Sequence, residues 1–486
     1  MHDFRLHHHG CILALLMLVA DAAPSMGQAV NIGSQRELFV DDHLVEGIDN
    51  VVFQLHEPRR QPRASSPLPM NRHYVTILKD EDDQGVLYRA YWRGSDAQYT
   101  GKTHSGNPGE VTLYAESRDG HEWEFPNLGI DASTGKERGN VVLANLPPFS
   151  HNFSPFIDTR PGVPASEKYK AIAGYPGEGK KAHLVGSDLI GRGLYAFVSP
   201  DGVNWTKTGE VIPYEAGWRH AFDSQNPAFW SPVEKQYVCY FRSWTPGENL
   251  RAISRTTSPD FVHWSKSVPM YQNEPGEHLY TNQTHPYFRA PQIYIALPTR
   301  YIAGRVGDSA TGDAMLGSTD ILFMSTRAGS ETFTRLFKHA YLRPGLDPDR
   351  WANRANYVAL NVVQTGDQEM SIYHRSGHRY ALRLDGFVSV RAGYEPGELI
   401  TKPITFSGNA LELNFSTSAA GSLQVELLDE TGNAIPGFSF SDSPLLVGDA
   451  IDRRIVWKSD LSTLHGKAIK LRFVMKECDL YAYRFD

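Results

Sequence analysis

One turn, written three times, constrains this chain more than anything else in it. It reads Ser117-Arg118-Asp119-Gly120-His121-Glu122-Trp123, then Ser199-Pro200-Asp201-Gly202-Val203-Asn204-Trp205, then Ser258-Pro259-Asp260-Phe261-Val262-His263-Trp264. A degraded fourth copy runs from Ser325 to Phe333. Each has the chemistry of a hairpin. Asp-Gly provides the reversal, Ser and Asp side chains bond the turn backbone, and Trp packs back onto the sheet. A supersecondary unit that recurs is stacked or arrayed, because it cannot bury its apolar face alone.

A second signal recurs alongside. Polar residues precede a short apolar strand at His151-Asn152-Phe153-Ser154-Pro155-Phe156, at Asp223-Ser224-Gln225-Asn226-Pro227-Ala228-Phe229 and at Asn282-Gln283-Thr284-His285-Pro286-Tyr287. Each is followed by a second apolar run, the clearest being Tyr237-Val238-Cys239-Tyr240-Phe241-Arg242. Together the two signals mark units of roughly 60 to 80 residues, the size of propeller blades with long loops. They fall at about 74–130, 150–210, 220–268, 282–340 and 355–392, with a strand near Phe39 or Phe53 expected to complete the ring. From Leu399 the pattern changes to alternating strands such as Leu411–Phe415, Leu423–Leu428 and Ile469–Val474, a small β-sandwich. The fold class expected is all-β, a five-bladed β-propeller over residues 30–398 followed by a C-terminal β-sandwich over 399–486.

Residues 1–29 read as a signal peptide: Arg5, then the apolar run Cys11–Ala20, then small residues suited to cleavage. The product expected is secreted or periplasmic, and no run is long enough to span a bilayer as a helix. Beyond that segment only Cys239 and Cys478 remain, which reads as two buried free thiols. With 48 basic against 55 acidic side chains and no basic run, nucleic acid is not an expected partner. No metal-ligand spacing appears, so neither metal nor cofactor is expected.

The strand sets, the Ser-x-Asp-Gly-x-x-Trp turns and the terminal sandwich resemble the five-bladed propeller glycosidases of the invertase, arabinanase and levansucrase type, glycoside hydrolase families 32, 43 and 68. The segments Leu38-Phe39-Val40-Asp41-Asp42-His43-Leu44-Val45-Glu46 and Leu382-Arg383-Leu384-Asp385-Gly386-Phe387-Val388-Ser389-Val390 also look like those of secreted bacterial glycosidase-like proteins. The resemblance implies an axial funnel with three carboxylates near the starts of the innermost strands, acting on a carbohydrate. The Asn-Asp-Pro-Asn and Arg-Asp-Pro signatures of the invertase type are absent, and only Asp223 sits cleanly at such a start.

Glycoside cleavage needs a protonated carboxyl at the leaving oxygen and a carboxylate on the opposite face. Asp223, among His220, Gln225 and Asn226, is the first candidate, joined by Asp41, Asp42 and Glu369, with Asp320 and Glu277 behind them. Arg89, Arg242, Arg300 and Arg354 are candidates for substrate binding, with Arg251 and Arg255 close to them in sequence. A forked guanidinium suits carboxylate or sulfate, so convergence of several would point to an acidic or sulfated sugar. His151, His220 and His285, with Asn152, Asn226 and Asn282, could line the funnel. Trp92, Trp218, Trp230, Trp244, Tyr280 and Tyr287 could stack on sugar rings. The alternative to a hydrolase is a propeller that binds carbohydrate without cleaving it.

Overall fold

The computed structural model describes residues 29–69, 74–96, 98–102, 107–129, 137–144, 146, 149–174, 193–215, 218, 221–307 and 316–486. Residues 1–28 of the segment expected to be a leader, and His220, lie outside the described residues. The fold is all-β, and among the described residues helix is limited to single 3-10 turns.

Five small sheets follow one another along the chain. Sheet I comprises Thr76–Asp82, Gly85–Ser95, Glu110–Ser117 and Val141–Leu143, in that spatial order. Sheet II comprises Ser154–Ile157, Tyr169–Ala173, Leu194–Ser199 and Thr206–Ile212. Sheet III comprises Ala228–Ser231, Gln236–Trp244, Arg251–Ser258 and Val268–Pro269. Sheet IV has three strands, His285–Tyr287, Ala290–Ala296 and Met324–Arg327, continued by a second three-stranded piece, Glu277–Leu279, Thr299–Ala303 and Gly317–Ile321. Sheet V comprises Val363–Gln364, Glu369–His374 and His378–Arg383, and its fourth strand is Arg59–Arg60 from far upstream. The strand near Phe53 does not complete a ring. Val51–Leu55 pairs with Val388–Ala392 instead.

Neighbouring sheets share cores. Tyr91 of sheet I packs with Tyr169 of sheet II, Phe156 of II with Tyr237 and Phe261 of III, and Phe229 and Tyr240 of III with Tyr294 of IV. Ile293 and Ile295 of IV share a cluster with Met370 and Ile372 of V, and Tyr373 of V packs on Trp123 of the sheet I turn. The second strands are therefore covered on both faces, and Tyr237–Ser243 is buried throughout. That is why these segments read as continuous apolar runs rather than alternating ones.

The repeated turns have one geometry. The Ser117, Ser199 and Ser258 hydroxyls each accept the N–H three residues on, at 2.9 Å. Oδ1 of Asp119, Asp201 and Asp260 each accepts two further N–H groups. The fourth residue has positive φ: 70° at Gly120, 77° at Gly202 and 70° even at Phe261. Tyr hydroxyls of the neighbouring sheets clasp two of these turns. Tyr91 donates to the Gly202 carbonyl and Tyr373 to the Gly120 carbonyl. In the third turn the Phe261 ring packs on Phe156 of sheet II and on Tyr237.

A further sheet has eight strands built on Lys470–Phe485, which pairs with Leu411–Leu428, Gly397–Thr401, Val388–Ala392 and Glu37–Leu38. Its core contains Leu413, Phe415, Val425, Leu427, Leu471 and Phe473. Residues 30–55, expected with the first domain, are hydrogen-bonded into this C-terminal body through Val30–Gly33, Val45–Asp49 and Val51–Leu55. The two expected free thiols, Cys239 and Cys478, are both buried.

Candidate functional site

The starts of the five sheets meet. Gln225, just before sheet III, donates to the Thr76 hydroxyl and the Val75 carbonyl of sheet I. Gln283, just before sheet IV, donates to the Gln225 side-chain oxygen and to the Val358 carbonyl ahead of sheet V. This amide network, fully buried, forms the floor of the site. The chain takes left-handed conformations at non-glycine residues before four of the sheets: Tyr74 (φ 66°), Phe222 (66°), Gln283 (50°) and Arg354 (61°). Such conformations persist where surrounding contacts over-determine them.

Asp223 is held in place by its neighbours' backbone. The Asn152 amide donates to the carbonyls of Phe222 and Ser224, 2.9 Å each, and the Asn226 amide donates to the same two carbonyls. Asn226 Oδ1 also accepts the Arg242 N–H. Two of the three asparagines expected to bind sugar are thus spent on the loop that carries Asp223. Its side chain is 33% exposed, with Oδ2 2.7 Å from Arg242 Nη2 and Oδ1 3.5 Å from His151 Nε2. Burial opposes ionisation, but Arg242 and His151 outweigh it and hold the carboxyl well below the usual range. His151 Nδ1 lies 2.9 Å from Glu110 Oε2 and 2.8 Å from Arg93 Nη1. The imidazole stands between the carboxylates of Glu110 and Asp223.

Arginine and tyrosine complete the group. Arg242 lies 5.4 Å from the Tyr280 ring centre, and Arg251 lies 4.4 Å from it and 4.9 Å from that of Trp244. Arg354 Nε donates to the Tyr280 hydroxyl at 3.3 Å, and Arg375 donates to the Arg354 carbonyl. Burial would raise the Tyr280 phenol, but Arg251, Arg242 and Arg354 bring it below its ordinary value. Tyr74 meets His151 edge-on, and Arg93 lies over its face. Tyr357 stands between Tyr74 and Tyr280.

Of the residues expected from sequence, the structure brings Asp223, His151, Arg242 and Arg354 together, along with Arg251, Trp244 and Tyr280. Asn152 and Asn226 join it as the clamps of the Asp223 loop, and the other described candidates lie elsewhere. Asp41 and Asp42 lie in a turn, not on a strand. Asp41 is buried in a two-pronged bond with Arg327, at 2.8 and 2.9 Å, and Asp42 is exposed. Glu369 begins the second strand of sheet V at the end remote from the site, beside Thr365, whereas Arg375 at the near end bonds Tyr357. It pairs with Arg379 and lines a cavity of about 710 Å³, shared with His56, Arg383 and Tyr481. Arg89 bonds Asp80 and the Tyr114 hydroxyl. Arg300 pairs with Asp320, and Glu277 with Arg335. Arg255 pairs with Glu234. Asn282 accepts the Thr284 N–H and donates to the Tyr240 carbonyl. His285 is buried, its Nδ1 against the Gln283 carbonyl and its Nε2 accepting the Val362 N–H. Trp92, Trp218 and Tyr287 belong to inter-sheet packing.

Glu110, Arg93, Arg375, Tyr74 and Tyr357 were not among the expected residues. A signal for the arginines exists. Tyr91-Trp92-Arg93, Tyr240-Phe241-Arg242 and Tyr373-His374-Arg375 repeat Tyr-aromatic-Arg at the site end of the second strands of sheets I, III and V.

No protein-family model matches the sequence, and no curated protein does. Solved structures similar to it include a glycoside hydrolase family 43 arabinoxylan arabinofuranohydrolase from Bacillus subtilis, with TM-score 0.40 and 14% identity, covering 85% of this chain and 96% of that one. A family 32 beta-fructofuranosidase from Bombyx mori has TM-score 0.40 and 10% identity, covering 89% and 94%. An N-acetylgalactosamine deacetylase from F. plautii has TM-score 0.35 and 13% identity, covering 62% and 94%.

Proposed function

We propose that the chain is a five-bladed β-propeller with a C-terminal β-sandwich, and that it is an exported glycoside hydrolase with Asp223 as its catalytic carboxylate. The observation that carries this reading is the state of Asp223. It is the partly exposed acid at the meeting point of the sheets, clamped by two asparagines and kept ionised by Arg242. An ionised, immobile carboxylate suits the group that attacks the sugar or activates water, and does not suit the proton donor at the leaving oxygen. The substrate is a carbohydrate, and the surplus of guanidinium over carboxylate favours an acidic or sulfated glycan.

The test is reducing-sugar release by the full chain across neutral, uronate-containing and sulfated oligosaccharides, with Asp223→Asn beside it. We expect the variant to lose at least about 10³-fold in kcat while still binding the oligosaccharide. Unchanged turnover would refute the role. A second reading, carbohydrate binding without cleavage, is favoured by one observation: Glu110, the other carboxylate at His151, has a side chain only 8% exposed. Wild-type binding without turnover on any member of the panel would decide for it.

A further inference from the structure

We infer that the site contains a dedicated anion subsite, in which Arg251, over the Tyr280 ring, and Arg354, at its hydroxyl, receive one carboxylate or sulfate group of the bound glycan. This deepens the carbohydrate reading and rests on it for the nature of the ligand, but it does not require cleavage.

Five guanidiniums, Arg93, Arg242, Arg251, Arg354 and Arg375, gather around two carboxylates, Asp223 and Glu110. Arg242 is committed, since its Nη2 holds Asp223. Arg251 is not balanced in this way. Its Nη1 lies 3.4 Å from His278 Nδ1, its Nε has no hydrogen bond although buried, and it is sandwiched by the Tyr280 and Trp244 rings. Nε and Nη1 of Arg242 are likewise buried without a hydrogen-bond partner. Buried N–H donors of a cation left unbonded are costly, and an incoming oxyanion removes that cost. Stacking on aromatic faces fixes the plane of a guanidinium, so that its fork is presented in one orientation.

Arg354 adds the second arm. It is held at φ 61°, a conformation arginine rarely adopts, with its carbonyl pinned by Arg375 and its Nε on the Tyr280 hydroxyl. Strain tolerated to aim one charged side chain at an aromatic that two other arginines flank is the mark of a positioned binding group. The lowered Tyr280 phenol reports the same excess of positive charge. His278, pushed down to about 4 by burial, Arg251 and Arg242, stays neutral near pH 7 and adds no charge of its own.

The experiment is calorimetric titration of the full chain, at low and high salt, with three matched probes: a neutral oligosaccharide, its uronate counterpart and its sulfated counterpart. The variants are Arg251→Gln and Arg354→Asn, the latter chosen because asparagine tolerates positive φ. We expect at least one charged probe to bind about 10-fold or more tighter than the neutral one, with the advantage shrinking in salt. Each variant should lose most of that advantage, its affinity falling far more for the charged probe than for the neutral one. The uronate and sulfate arms identify which oxyanion is taken. Equal binding of all three probes, or an advantage that survives both substitutions, would overturn the subsite. If Asp223→Asn retains turnover while the arginine variants lose charge preference, the subsite stands and the catalytic assignment falls.

Discussion

Two asparagines at this site look like sugar ligands in the sequence and are backbone clamps in the structure. Asn152 and Asn226 saturate the carbonyls on either side of Asp223, so the polar residues around the acid divide into one that faces solvent and several that hold it there. Sequence alone could not make that division, because Asn at a strand start serves both purposes equally well. His285 shows the same ambiguity from the other side. It is buried and neutral, pushed down to about 4 by burial, with its acceptor nitrogen taken by the Val362 N–H. The folded value lies below the unfolded one of about 6.5. Its contribution is therefore complete above pH 6.5 and is lost as pH falls from there toward 4, up to about 3 kcal/mol. Urea unfolding of the wild type should lose stability across that window. In His285→Gln the slope should flatten by about one proton's worth.

At the scale of the element, the turn that recurs in the sequence was readable down to its hydrogen bonds. Ser and Asp take the positions their chemistry demands, and the fourth residue has positive φ in all three copies. What the sequence could not show is the company the turn keeps. At Gly202 an added Cβ would stand 2.7 Å from the hydroxyl of Tyr91, the group that bonds the Gly202 carbonyl. Gly202→Ala should therefore cost about 2–4 kcal/mol, combining left-handed strain with displacement of that tyrosine. Gly162→Ala, at φ 78° with nothing within 4 Å, should cost only the strain, about 1 kcal/mol. Chemical denaturation of the two variants separates the terms. Phe261 meets the same φ with a large side chain, and its burial against Phe156 and Tyr237 offsets the strain.

At the scale of the whole molecule, the succession of sheets could be anticipated because each unit repeats its own turns. The joints could not, since they depend on contacts between distant segments. Arg59–Arg60 ends sheet V, and residues 30–55 are woven into the C-terminal body. Neither stretch carries a pattern that names its partner, and Arg-Arg flanked by prolines reads as an irregular arm. Three acids that sequence suggests for catalysis, Asp41, Asp42 and Glu369, lie toward these joints, where a carboxylate pairs with arginine or faces solvent. Removing the Tyr373 hydroxyl tests how much one joint contributes. Tyr373→Phe leaves the Gly120 carbonyl without the tyrosine that bonds it and should cost about 1–3 kcal/mol in equilibrium unfolding. Tyr91→Phe should cost a similar amount, since it breaks the corresponding bond between sheets I and II.

Those two clasps are chemically alike but differ in time. Tyr91 reaches a carbonyl 111 residues further along the chain, whereas Tyr373 reaches back 253 residues to a turn made long before it. During synthesis sheet I must therefore wait, with one face uncovered, until nearly four hundred residues have left the ribosome. Its exposed aromatic side chains, Tyr88 and Trp92 among them, are then surfaces on which a chaperone or another nascent chain could settle.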